Sequence, residues 1–167
     1  TGNIIALTKN TNGTLGIFGT IEIDGVHGST AGTTSYAVSA GTSSVTGERL
    51  LIRNVDALAA RQVHLFSTLT CKGVEIDKPV VNVTTTTNSS IYSNNSAIDK
   101  LDIVAPHATT AASGTAYAVE LAGNYAGAEV NITDGLILGA TNVRLLQISA
   151  ATLPKLTLLR NQQRTSG

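Results

Sequence analysis

The chain has 167 residues, which bounds it to one domain with room for a sizeable core. Eleven basic side chains balance eleven acidic ones and only 13% of residues are charged, so the basic excess that a phosphate backbone demands of its partner is absent. No run approaches the roughly 18 apolar residues of a membrane helix, which argues against membrane insertion.

Residues 1–18 read as an N-terminal lead-in or a first partial coil. From Gly19 onward, short stretches with two aliphatics around one outward position recur: Ile21-Glu22-Ile23, Leu50-Leu51-Ile52, Val74-Glu75-Ile76, Leu101-Asp102-Ile103, Val130-Asn131-Ile132 and Leu156-Thr157-Leu158. Measured at the second aliphatic, the steps are 29, 24, 27, 29 and 26 residues. A second series alternates with the first: Tyr36-Ala37-Val38, Val63-His64-Leu65, a weaker Ser90-Ile91-Tyr92, Tyr117-Ala118-Val119 and Leu145-Leu146-Gln147, with steps of 27, 27, 27 and 28 from their first residues. Two strand series sharing one period are the signature of a solenoid, in which each repeat is a coil stacked on the last.

Sharp turns follow the first series at matching places: Asp24-Gly25, Arg53-Asn54, Asp77-Lys78-Pro79, Ala105-Pro106, Thr133-Asp134-Gly135 and Arg160-Asn161. A third strand is expected after the turn, at Val80–Val83 and Leu136–Leu138. The best helical segment is VDALAARQ at 55–62, about two turns. The longer excursions are placed at Gly25–Thr34, Thr84–Ser96 and Pro106–Thr115, all rich in Ser, Thr, Gly or Asn. The predicted fold is therefore all-β, a right-handed parallel β-helix of about six coils over residues 19–161, with 162–167 as a C-terminal tail.

Alternation fixes what points outward. One outer ladder is Glu22, Leu51, Glu75, Asp102, Asn131 and Thr157, and two residues on lies a second, Asp24, Arg53, Asp77, Val104, Thr133 and Leu159. Neighbouring rungs sit about 4.8 Å apart, so Glu75, Asp77 and Asp102 gather in one patch near Arg53. Glycoside cleavage uses two carboxylates about 5–9 Å apart, and this patch is the catalytic candidate, the alternative being solvated acids on an exposed sheet. Tyr92 and Tyr125 fall in looser segments and are the candidate sugar-stacking residues, whereas Tyr36 and Tyr117 are inward-phased. Leu51, Val104 and Leu159 place apolar side chains on the outer face, which three parallel copies could bury.

The remaining chemistry-bearing residues form no motif. His27, His64 and His107 lack ligand spacing, so no metal and no cofactor is expected. No Gly-x-Ser-x-Gly elbow is present, and Gly13, Gly16 and Gly19 match no phosphate cradle. The single Cys71 reads as a small buried hydrophobe. Thr, Ser and Asn supply 49 residues, a composition suited to surfaces that meet sugars or copies of themselves. Methionine is absent even at position 1, which leads to the expectation of a processed product or a piece of a longer chain.

Coils such as ERLLIRNVDA, KGVEIDKPVV, DKLDIVAPHA and AEVNITDGLI, joined by Ser/Thr/Gly/Asn loops, resemble the pectin-lyase-like β-helices of bacteriophage tailspikes and related tail appendages. The resemblance covers roughly residues 19–161 and is one of pattern and composition. It implies a homotrimer on a virion, outside the cell, neighbouring other tail proteins and contacting bacterial surface polysaccharide. Many such proteins cleave that polysaccharide as hydrolases or lyases. With about six coils the chain is shorter than enzymatic tailspike domains, which favours a shaft, terminal or attachment segment. A cellular solenoid is the third reading, but the mixed outer ladder lacks the flat hydroxyl array of an ice-binding face.

Overall fold

A computed structural model describes residues 3–9, 16–29, 36–58, 61–83, 88–94, 97–110, 116–138, 143–150 and 152–164. In chain order the strands are β1 (Asn3–Leu7), β2 (Gly16–Ser29), β3 (Tyr36–Ala40), β4 (Val45–Leu58), β5 (Arg61–Leu65), β6 (Leu69–Asp77), β7 (Val80–Val83) and β8 (Asn88–Asn94). They continue as β9 (Ala97–Val104), β10 (His107–Thr110), β11 (Ala116–Ala122), β12 (Glu129–Thr133), β13 (Leu136–Leu138), β14 (Val143–Ile148), β15 (Lys155–Leu159) and β16 (Gln162–Arg164).

Every pairing is parallel, and the strands stack into three faces of a parallel β-helix. Face 1 runs β1-β3-β5-β8-β11-β14, face 2 runs β2-β4-β6-β9-β12-β15, and face 3 runs β7-β10-β13-β16. About six coils were expected; six rungs occupy two faces, but only four coils carry a separate strand on all three. The difference lies in β2 and β4, each of 14 residues, which turn the corner after face 2 without a break.

That corner is marked in every coil by one residue with left-handed backbone: Gly25, Asn54, Lys78, Ala105, Asp134 and Arg160, with φ between 48° and 69°. Their spacing repeats that of the aliphatic series, so the turn and the inward ladder are one periodic unit. The corner amides are satisfied by the next coil, with Lys78 N donating to Val104 O, Ala105 N to Thr133 O and Asp134 N to Leu159 O.

On face 2 the predicted ladders are in register: Ile23, Ile52, Ile76, Ile103, Ile132 and Leu158 form one inward row, and Ile21, Leu50, Val74, Leu101, Val130 and Leu156 another. From the second coil to the fifth both rows are buried. Each such side chain contributes about 1.5–3 kcal/mol of transfer free energy, and this stacked column holds the coils together. Cys71 is buried among them, and burial pushes its thiol up.

Several expectations are corrected. The helix expected at 55–62 is not found where the structure describes that segment: Val55–Leu58 closes β4 and Arg61 and Gln62 open β5, with Val55 buried and Asp56 exposed in strand alternation, while 59–60 lie outside the described residues. The excursions are narrower than supposed, because 25–29, Asn88–Asn94 and His107–Thr110 are strand; the parts at 30–34, 84–87, 95–96 and 111–115 lie outside the described residues. The third strands at Val80–Val83 and Leu136–Leu138 are β7 and β13 as predicted. On face 1, Val63 pairs with Val38 rather than Tyr36, and Ile91 and Leu146 take the inward row. Tyr36 and Tyr117 are half-buried. The last coil extends into the supposed tail, since β16 pairs with β13.

Candidate functional site on the charged face

The outward side of face 2 is the most chemically dense surface among the described residues. Strand pairing brings Glu75 directly beside Asp102 and Asp77 beside Arg53 and Val104, as the alternation predicted. The surrounding groups are basic. Glu75 accepts from Arg49 Nη2 at 3.1 Å and from Arg53 Nη2 at 3.5 Å, and Arg53 also reaches Glu22 at 2.6 Å. Asp102 accepts from Lys100 Nζ at 2.9 Å and from Asn131 Nδ2 at 2.8 Å. The bond to Asp102 holds the Lys100 ammonium above its usual range. Lys72 meets Glu48 at 2.7 Å, Lys155 meets Glu129 at 3.7 Å, and Asp77 lies 3.9 Å from Lys78. The acids are therefore woven with cations into a ladder crossing all six rungs of the face.

Gly73 interrupts that ladder. Its row holds Arg49 on one neighbouring strand and Lys100 on the other. Between them opens a groove of about 350 Å³ lined by Glu48, Arg49, Lys72, Glu75, Lys100 and Asp102. Three cations and three carboxylates make its rim neutral in sum and rich in donors and acceptors. This can hold a polyhydroxylated ligand by hydrogen bonds. A carboxylate pair acting as acid and base needs each oxygen facing substrate, whereas both Glu75 oxygens here accept from arginines.

Leu51 departs from its expected exposure. It stands on the outer row between Glu22 and Glu75, yet is buried and lies outside the main core cluster. Arg49 and Arg53 flank it in sequence, and their guanidinium groups pair with Glu75 and Glu22 on the strands to either side of it. Val104 is half-buried and Leu159 is exposed.

The predicted sugar-stacking residues are both engaged inside the protein. Tyr125 is not exposed: it is fully buried, its hydroxyl donates to Ser93 O at 2.7 Å, and burial pushes its phenol up to about 12. Tyr92 is half-buried, with the Arg61 guanidinium 4.0 Å from its ring centroid and the His64 ring edge-on at 4.8 Å. Near Tyr125 a second groove of about 520 Å³ runs along the corner between faces 1 and 2, past Ser67, Asp99 and Asn124.

The sequence reading missed the cluster around His64. Its ring stacks on Phe66 at 3.7 Å, with Tyr36 edge-on at 4.6 Å. Both ring nitrogens are buried without a hydrogen-bond partner. Burial, with the Arg61 charge adding to it, pushes the imidazole down to about 4. The sequence signal was a histidine set between the aliphatics Val63 and Leu65 in β5. His27, His64 and His107 lie on different strands, and no cluster of metal-ligating groups occurs among the described residues.

Comparison with protein-family models, with curated proteins and with solved structures finds no match to this chain.

Proposed function

We propose that the chain is a structural and host-attachment β-helix module of a phage tail spike or fibre, extracellular on the virion, homotrimeric, and contacting bacterial surface polysaccharide beside other tail proteins. The observation that supports this reading is a rigid parallel solenoid with an ion-paired outer face and the neutral, donor-rich groove at Gly73. Fixed charged pairs offer sugar hydroxyls pre-oriented donors and acceptors at little ordering cost. Binding of the purified chain to capsular and lipopolysaccharide preparations from a bacterial panel tests it. Retention by at least one polysaccharide is expected, weakened about tenfold, or 1.4 kcal/mol, by Arg49→Ala together with Lys100→Ala. No retention on any preparation removes the attachment reading.

The in-register placement of Glu75 and Asp102 favours a second reading, polysaccharide cleavage at the same groove with Asp77 nearby. Release of reducing ends or unsaturated products, lost in Glu75→Gln and in Asp102→Asn at nearly unchanged melting temperature, would establish it. The arginine cover on Glu75 places this reading second.

A further inference from the structure

The face 2 row Thr20, Arg49, Gly73, Lys100, Glu129, Lys155 carries a side chain at every rung but one. The coil does not impose that glycine, because register-equivalent positions on the other strands take branched or long side chains. Gly73 lies outside the left-handed φ region, unlike Gly25 and Gly41. A Cβ added to it would meet only Glu48 O, at 4.0 Å, which is ordinary contact. A glycine inside a strand weakens it, and it marks a bulge, a bend or the close approach of another group. Register passes through Gly73 without a slip on either neighbouring strand, and no part of the chain crowds it. What remains is an approach from outside.

The space over Gly73 is the floor of the 350 Å³ groove. Arg49 and Lys100 stand on the strands to either side, two strand spacings or about 10 Å apart at the backbone. Arg49 pairs with Glu75 at 3.1 Å, Lys72 with Glu48 at 2.7 Å and Lys100 with Asp102 at 2.9 Å, which fixes three long side chains around the gap. Arg53, just outside, is divided between Glu22 at 2.6 Å and Glu75 at 3.5 Å. Asp99 adds a further negative charge acting on Lys72. An incoming carboxylate, sulfate or phosphate therefore gains a cation only by displacing one of these acids and leaving it unpaired. An uncharged hydroxyl displaces nothing: it donates to carboxylate lone pairs and accepts from ammonium or guanidinium protons that a single pair does not use up. None of the described lining residues is aromatic, so a sugar is held here by its hydroxyl edge rather than by its face.

We propose that Gly73 is the specificity-determining position of this groove. Its missing side chain seats the hydroxyl edge of one uncharged sugar residue against the β6 backbone, and the groove selects neutral polysaccharide over acidic. This selectivity rests on the polysaccharide-attachment reading and narrows its ligand class.

Retention of the purified chain on neutral and on acidic bacterial polysaccharides, with Gly73→Thr beside the parent, tests it. Neutral polymers are expected to hold the parent at least about tenfold more tightly than acidic ones. That retention should change less than about twofold between about 0.05 M and 0.5 M salt, since the ligand carries no charge to screen. Gly73→Thr is expected to melt at or above the parent, because threonine suits a strand better than glycine, and to lose retention by about tenfold or more. Gly73→Ala, which adds one methyl group, should fall between the two. Acidic polymers held as tightly as neutral ones, or Gly73→Thr held like the parent, overturn the proposal while leaving attachment standing. A Gly73→Thr that melts well below the parent also overturns it, because the coil would then require the glycine for itself. No retention of the parent on any polymer is the failure of attachment, and the ligand assignment falls with it.

Discussion

His64 carries the clearest residue-level consequence. Its imidazole is stacked on Phe66 and bounded by Tyr36 and Tyr92, with no partner for either nitrogen, so the folded state holds it neutral. The unfolded chain takes up a proton near 6.5, whereas the folded chain resists until about 4. Above 6.5 neither state is protonated and the residue imposes no pH dependence. As pH falls from 6.5 to 4 the unfolded state binds the extra proton, and stability is lost through that window. His64→Phe keeps the stacking shape and removes the unpaired nitrogens. Denaturant midpoints of this variant should match or exceed those of the parent at pH 7 and fall less between pH 6.5 and 4. Equal slopes in the two proteins would show that His64 is not the titrating group.

The corner residues give a second test at the same scale. Ala105 holds φ at 48°, a conformation that costs an L-residue about 1–2 kcal/mol. Glycine would remove that cost while adding about 0.5–1 kcal/mol of unfolded-state freedom. Ala105→Gly is therefore expected to stabilise the protein by about 0.5–1 kcal/mol, read as a rise in the urea midpoint. A fall in midpoint would mean that the corner is not strained at this coil.

At the scale of elements, position along the solenoid decides what a substitution does. Ile103 and Leu158 share one inward row, through Ile132. Ile103 is fully buried and Leu158 is 48% exposed. Ile103→Asp leaves an unpaired carboxylate in the column and should cost at least about 3 kcal/mol, enough to unfold a marginal domain. Leu158→Asp should cost below about 1 kcal/mol, because water already reaches the site. Thermal melts of the two variants decide it, and equal losses would contradict the stacking order.

The same elements show why some of the fold was legible and some was not. Face 2 has one buried and one solvated side, so period-two alternation fixed its strands, register and outer ladders, including the pairing of Glu75 with Asp102. In β3 and β5 four consecutive residues are buried on both sides, so alternation carried no contrast and the face 1 register slipped. Leu51 was placed on the correct row, but it is buried there between strands joined by the ion pairs of Arg49 and Arg53, which no periodicity encodes. Tyr125 turned inward through a hydroxyl bond to Ser93 O, a contact 32 residues away in sequence. The acids of the candidate site were visible; the cations that occupy them were not weighed as a ladder.

At the scale of the molecule, a solenoid's coils touch only their neighbours, so stability is a sum of local terms rather than one cooperative quantity. The interior coils are bounded by a filled column on both sides, while β15 has every residue exposed. The ion-paired face does little to offset this, since its pairs are mostly exposed and water screens them. Opening should therefore begin at β14–β16 and move inward. Amide hydrogen exchange is expected to show fastest exchange in β15 and β16 and slowest in β6, β9 and β12. Equal exchange in β15 and in β9 would contradict this order of opening.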